Sequence, residues 1–114
     1  MTDPIYHITS RAAWSTAQET GAYSTESLSS QGFIHCSTAD QVVSVANAIY
    51  RRAAGLVLLE IDPVRLQPLV RWEPGADKPG ELFPHIYGLL NLDAVTRVLD
   101  FPPNSDGSFT LPPL

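Results

Sequence analysis

A helix-forming segment followed directly by a strand-forming one, residues 41–62, constrains the fold more than any other part of the chain. In QVVSVANAIYRRAAG the apolar residues recur at helical spacing, with Thr38 or Asp40 as the cap and Gly55 as the end. The stretch that follows, LVLLEID, is aliphatic and too short for a typical helix, which indicates a central strand buried on both faces. A chain that places such a helix next to such a strand is predicted to have an α+β architecture.

The first third of the sequence adds two strands and two short helical segments. Residues 5–9 alternate as a strand does, and Ser10 is placed to cap a helix over RAAWSTAQETG that ends at Gly21. Thr25 predicts one further helical turn before Gly32, after which FIHCS is extended. Phe33, His35 and Ser37 would then share one face of that strand.

The last third of the sequence is rich in strands. LVRWE alternates, and PGADKPG is a loop by composition that is placed to act as a lid. ELFPHIYG is a strand in which Pro84 indicates either a sheet edge or an irregular strand. The tail AVTRVLDFPPNSDGSFTLP predicts two strands around a Ser-Asp-Gly turn. We therefore expect one α+β domain over residues 1–114, with a mixed sheet of about six or seven strands and two to three helices.

Composition excludes several classes of partner. The 114 residues include twelve acidic against seven basic side chains, so no basic stripe is present for nonspecific nucleic-acid binding. One cysteine forms no internal disulfide and no CxxC metal pair. The start lacks the pattern of a signal peptide, and no run approaches the roughly 20 apolar residues of a membrane span. We expect a soluble, cytoplasmic protein that does not bind membranes.

All three histidines lie in predicted strands, among aromatic or hydroxyl neighbours. His7 shares a face with Thr9, His35 with Phe33 and Ser37, and His85 with Phe83 and Tyr87. A single strand histidine is usually a core or surface residue, but three in matching contexts predict one shared cleft if their strands adjoin. A trio of histidines can also hold zinc, although no HxH or HExxH pair presents two ligands locally.

Four other residues bear on a possible site. Cys36 points away from His35 and is predicted to be a buried apolar residue rather than a nucleophile. Glu73 and Glu81 flank the Pro/Gly loop, where an acid could orient a sugar hydroxyl or a water. Tyr23, after Gly21, is a candidate for stacking on a base or ring, with simple packing as the alternative.

Several motifs together resemble the uncharacterised DUF952 family over nearly the whole chain. The resemblance is carried by IYHI, Trp14, GAYSTESL, GFIHCS, Ala46-Asn47, LVLLEID, VRWE, FPHIYGLLN and DGSFTLP. That family is similar in layout to ADP-ribosyltransferase-like domains and, in motif, to the RNA 2'-phosphotransferases, which use NAD to remove a phosphate from RNA. The resemblance thus implies an ADP-ribosyltransferase-like fold.

The resemblance also implies roles for particular residues. His7 in YHIT matches a first-strand histidine that bonds the ribose hydroxyls of NAD, and His35 with Ser37 matches a second motif on the nicotinamide side; His85 falls near the third. The candidate catalytic residues are therefore these three histidines, and the candidate ligand-binding residues are Thr9, Arg11, Tyr23, Ser37 and Tyr87.

This sequence departs from the phosphotransferases in two places. Ile8 stands where they have glycine, and the basic residue before the second histidine is missing, so the RNA 2'-phosphate is not an expected substrate. Arg11, Arg51 and Arg52 are the cations that could meet a pyrophosphate, unless they are solvated helix residues.

The sequence leaves three functions open. The first is an ADP-ribosyl or glycosyl transferase that takes NAD as its substrate and needs no metal. The second is a module that binds a nucleotide or small molecule without catalysis, and the third is a three-histidine zinc hydrolase.

Overall fold

The computed structural model describes residues 3–75 and 78–114, which form three helices, eight strands and two 3₁₀ turns. The helices are α1 (Arg11–Thr20), α2 (Glu26–Gln31) and α3 (Ala39–Ile49). The strands are β1 (Ile5–Ser10), β2 (Ala22–Tyr23), β3 (Ile34–His35), β4 (Leu56–Ile61), β5 (Leu69–Pro74), β6 (Leu82–Tyr87), β7 (Leu90–Asn91) and β8 (Val95–Asp100). The 3₁₀ turns are Pro63–Arg65 and Leu92–Ala94. The α+β class and the helix number agree with the sequence prediction.

The strands are divided among three small sheets. Their orders are β1-β4-β8, β2-β7 and β3-β6-β5, and every strand pairing in the described residues is antiparallel. The expected mixed sheet of six or seven strands is corrected to this arrangement. The reason lies in strand length: β2, β3 and β7 have two residues each, too few to bridge the longer strands into one sheet.

The sheet β1-β4-β8 separates two apolar clusters, which is why its middle strand is aliphatic at every position except Glu60. Val57, Leu59 and Ile61 of β4 pack into one cluster with Trp14 of α1, while Leu56 and Leu58 face α3 on the other side. Residues 57, 58, 59 and 61 are all fully buried. The prediction that LVLLEID is a strand buried on both faces is therefore confirmed, and β1, its neighbour, contributes His7 to the Leu59 side.

The sheet β3-β6-β5 corrects the assignment of Pro84 to an edge. Strand β6, which contains Pro84, is the central strand, with His35 of β3 opposite His85 and Arg71 of β5 also opposite His85. Cys36 donates its N–H to the Pro84 carbonyl at 3.1 Å, one residue after β3 has ended. Pro84 has no N–H to donate. The position at which that N–H would pair lies beyond the end of β3, so the missing donor does not interrupt the pairing of β3 with β6.

Helix caps follow the sequence prediction at α1 and α2, but α3 ends earlier than expected. Ser10 and Thr25 accept the capping bonds, and Gly21 and Gly32 end their helices with positive φ. Helix α3 stops at Ile49 because Arg52 adopts a left-handed φ of 68° and donates its N–H to the Gly107 carbonyl at 2.9 Å. Gly55 therefore does not close it.

The tail contains one of the two strands predicted there. After β8, residues 101–114 hold no strand in the described structure; Phe101 and Phe109 instead pack against each other and the α3 side of the sheet. Part of the predicted Pro/Gly loop, residues 76 and 77, lies outside the described residues. No helix among the described residues is long and apolar enough to cross a membrane.

Candidate functional site

His7 lies inside the molecule with both ring nitrogens bonded. Its Nδ1 is 2.6 Å from the His35 carbonyl oxygen and its Nε2 is 2.7 Å from the Tyr23 hydroxyl, which is 2.8 Å from Thr9 Oγ1. A carbonyl only accepts, so Nδ1 carries the hydrogen and donates it, and Nε2 of the neutral ring accepts from the phenol. Only 7% of His7 is exposed.

Burial decides the charge of His7. Removal from water lowers the pKa of the imidazole to about 4, against a smaller opposing effect of the bond to the His35 carbonyl. The ring is therefore neutral at pH 7. It connects β1, β2 and β3 through one side chain, with Tyr23 packed edge-on at 5.2 Å between ring centroids.

The other two histidines lie on the opposite side of the His35 backbone, on a face of the sheet β3-β6-β5. We call the side chains of Phe33, His35, Glu73, His85 and Tyr87 the histidine face. His35 and His85 are directly opposite each other in register, with ring centroids 5.3 Å apart. Phe33 stacks on His85 at 4.0 Å and meets His35 edge-on at 4.8 Å. The face therefore combines two imidazoles with aromatic surface.

His35 is exposed, and one of its nitrogens is oriented by Gln31. Nε2 lies 2.7 Å from Gln31 Oε1, so Nε2 donates to the amide oxygen and Nδ1 keeps its lone pair. Partial burial lowers the pKa of His35, and the neighbouring His85 lowers it further. A neutral imidazole with a bare nitrogen can accept a hydrogen bond or a proton from a ligand.

Glu73 is held by two donors on the same oxygen. His85 Nδ1 lies 2.8 Å and the Tyr87 hydroxyl 2.5 Å from Glu73 Oε1, and the described part of the chain supplies no donor to Oε2. The Tyr87 hydroxyl, and then His85, lowers the pKa of the carboxyl, and Glu73 in turn raises the pKa of Tyr87. Arg71 lies over the Tyr87 ring at 5.4 Å. Glu73 is thus an ordered carboxylate with one oxygen open to a ligand.

The structure brings only some of the sequence candidates to this face. His35, His85 and Tyr87 are there, whereas Thr9 and Tyr23 are buried partners of His7 beneath it. With 3% of its surface exposed and its hydroxyl bonded, Tyr23 has no ring face for a ligand to stack on. Ser37 is buried and pairs with Tyr6 through its backbone.

The arginines that the sequence offered for a pyrophosphate lie elsewhere. Arg11 forms an ion pair with Asp100 of β8, at the outer edge of the other three-stranded sheet. Arg51 donates to the Asp106 carbonyl at 3.2 Å, and Arg52 is at the turn that contacts Gly107. These residues support the tail and the β8 edge.

Burial decides the role of Cys36, and hydrogen bonding bears on the three-histidine zinc site. Cys36 is 4% exposed in the core, and burial raises the pKa of its thiol, so its prediction as an apolar residue is confirmed. Residues 3–75 and 78–114 contain no group of three histidine, cysteine or acidic side chains that could hold a metal ion. Both nitrogens of His7 are engaged in hydrogen bonds, so His7 offers no free nitrogen for a three-histidine site.

Sequence reasoning missed Arg71 and Gln31 and left the role of Glu73 open. A signal was present for β5: the odd residues of LVRWE fall opposite the odd residues of FPHIY if the two strands form a hairpin. That pairing places Arg71 and Glu73 with His85. No comparable signal pointed to Gln31, because its contact with His35 depends on the turn at Gly32.

Comparisons with known proteins give one family and one solved relative. The family model described as "Protein of unknown function (DUF952)" matches residues 8–98. The crystal structure of protein CC0527 from Caulobacter crescentus is 35% identical, with a TM-score of 0.85 over 95% of this chain and 94% of that one. The solution NMR structure of CC0527 gives 34% identity and a TM-score of 0.75 over 92% and 90% of the two chains. No curated protein matches. The chain belongs to the DUF952 family of proteins of unknown function.

Proposed function

We propose that the protein is an NAD-using transferase of ADP-ribosyltransferase-like fold that binds the ribosyl and nicotinamide parts of its substrate on the histidine face. The observation that carries the proposal is the open oxygen of Glu73, an ionised and oriented carboxylate next to two imidazoles. Exposed Phe33 surface and the neutral His35 supply a stacking partner and a hydrogen-bond acceptor for the same ligand.

The chemistry that suits these groups is the breaking of an N-glycosidic bond. Nicotinamide leaves with both bonding electrons, and the ribose carbon develops positive charge that the Glu73 carboxylate stabilises. An acceptor hydroxyl then bonds to that carbon and gives its proton to the bare nitrogen of His35. His7 touches no substrate in this scheme; it positions β3 through the carbonyl of His35.

Nicotinamide release from NAD tests the catalytic part. Glu73→Gln removes the charge while keeping the size, so we expect release to slow about 100-fold or more, as for loss of other preorganised charges. Glu19→Gln is the control, because this acid is exposed on α1 and is not part of the histidine face. Equal rates for the two variants would contradict the role of Glu73.

Calorimetry with NAD and ADP-ribose tests the binding part. His35→Ala should weaken the binding of both ligands, since it removes one hydrogen-bond acceptor and one of the aromatic rings of the histidine face. Negligible heats with the wild-type protein would overturn the proposal for these ligands.

A module that binds a nucleotide or small molecule without catalysis is the second candidate. It is favoured by His7, whose two engaged nitrogens leave no first-strand imidazole for the ribose. The two assays separate the candidates, because a binding module gives heat with ADP-ribose and no nicotinamide release in any variant.

A further inference from the structure

A cavity lies on the other side of β5 from the histidine face. It has a volume of about 870 Å³ and is lined by residues of β5, of the segment 63–68 before it, of the chain at the start of β1, and of the first turn of α3. We call it the Trp72 groove. Its lining includes three prolines and the apolar side chains of β5, and no residue of the histidine face. The two sites are therefore separate.

Trp72 is the main aromatic surface of this groove. It alternates with Arg71 and Glu73 along β5, so its indole lies on the opposite face of the strand from theirs. Fully 51% of Trp72 is exposed, although it is large enough to contribute substantially to a core. Leu69, also in the lining, is 56% exposed. A half-exposed indole in a concave surface is suited to contact with a ligand.

The charges of the groove have one sign. Asp3 and Asp40 are exposed at its rim, and no arginine, lysine or histidine is among the described lining residues. Tyr6, at its base, donates its hydroxyl to Glu60 and so is already engaged. The groove thus repels phosphates and carboxylates, and the face of an indole adds further negative potential.

We infer that the Trp72 groove binds an organic ammonium ion with apolar substituents, independently of the function proposed for the histidine face. The cation lies over the indole, its substituents contact the prolines, and the two carboxylates supply the charge complement. The arrangement also explains an otherwise costly exposure of apolar area on β5.

Choline and its neutral isostere 3,3-dimethylbutan-1-ol test this inference by calorimetry. We expect choline to bind at least about tenfold more tightly than the isostere, because only choline gains from the indole face and the carboxylates. Trp72→Leu keeps an apolar side chain but removes the aromatic face, so it should weaken choline binding about tenfold and affect the isostere less. Asp3→Asn combined with Asp40→Asn should weaken choline about threefold in a salt-dependent manner.

Glu19→Gln, an exposed acid on α1 outside the groove, is the control and should leave choline binding unchanged. Amide shifts in an NMR titration should cluster at Val70, Trp72 and Thr38. Equal affinity for choline and the isostere, shifts centred on His35, or no binding of choline at 10 mM, a probe concentration of about the weak limit for specific ligands, would each overturn the inference. A dimer that Trp72→Leu dissociates would also overturn it, because the groove would then be a contact between two copies.

Discussion

Two glutamates in two different sheets make parallel sets of contacts and have different chemical prospects. Glu60 of β4 accepts from the Tyr6 hydroxyl at 2.9 Å and from Arg97 at 3.0 and 2.7 Å, with a further bond from Thr96. Both of its oxygens are used. Glu73 of β5 also has a tyrosine and a basic partner, but both bonds end on one oxygen.

The two glutamates differ in how many of their oxygens accept hydrogen bonds and in the type of their basic partner. Arg97 is a permanent cation that bonds both oxygens of Glu60, and this bond, more than any other contact, lowers the pKa of Glu60 to about 2. His85 is a single donor that leaves Glu73 half satisfied on an open face. The polar groups of Glu60 in the sheet β1-β4-β8 are thus fully paired, while Glu73 in β3-β6-β5 keeps one oxygen without a donor among the described residues. The histidines differ likewise: His7 is saturated and His35 is not.

Replacement of His7 by alanine should have the largest effect on stability. It leaves the Tyr23 hydroxyl and the His35 carbonyl without their partner in the core, so we expect the free energy of unfolding to fall by about 3 kcal/mol. His35→Ala, at an exposed position, should cost less than about 1 kcal/mol. Urea unfolding of both variants measures this; similar losses would break the distinction between the two sheets.

The pH dependence of stability should reveal the same buried ring. The pKa of His7 is lowered from 6.5 to about 4 on folding, so the unfolded chain binds more protons between those values. Stability is then lost as pH falls from about 6.5 towards 4, by at most about 3 kcal/mol at roughly 1.4 kcal/mol per unit. His35, whose pKa is also lowered, adds to the loss in the same direction.

Unfolding at several pH values tests this in the wild type and in His7→Asn, whose amide can still donate to the His35 carbonyl. The variant should show a shallower slope between pH 6.5 and 5. An unchanged slope would mean that His7 does not titrate on unfolding.

Neutralising each glutamate in turn tests the same comparison through smaller changes in stability. Glu60→Gln should lower the free energy of unfolding by about 2 kcal/mol, since it weakens a bidentate ion pair whose carboxylate is mostly buried and whose arginine is partly solvated. That contribution is present above pH 4.5 and is lost as pH falls towards about 2. Glu73→Gln should shift Tm much less. A larger shift for Glu73→Gln would assign it a mainly structural role.

Replacing the tyrosine partners of Glu60 and Glu73 should have the smallest effects. Tyr6→Phe removes a buried donor to Glu60 and should cost about 1 kcal/mol. Tyr87→Phe should leave Tm nearly unchanged and instead raise the pKa of Glu73, because the Tyr87 hydroxyl is the largest cause of its lowering. NMR titration of the glutamate carboxyls measures this, and an unmoved Glu73 pKa would contradict the hydrogen bond.

Periodic segments and capped helices were predictable, and the two-residue strands β2 and β7 were not. Helix α1, the start of α3 and strands β1, β4, β5 and β6 follow from alternation, helical spacing and caps in their own residues. The two-residue strands β2 and β7 carry no periodic signal, and their pairing depends on how α1 and β6 present them. The early end of α3 depends on Gly107, 55 residues after Arg52, which no local pattern encodes.

The candidate site was also predictable only in part. Alternation alone was enough to place Cys36 in the core and His35 on the other face, because the side-chain period of a strand is a local property. Whether an imidazole is free or engaged was decided by tertiary structure: His7 is bonded by Tyr23 and by the backbone of β3, and Glu73 by residues of β6. Sequence thus determined which residue types lie in strands and on which face. Only the packing of three sheets determined which of their polar atoms stay open, since hydrogen-bond saturation depends on partners distant in the chain.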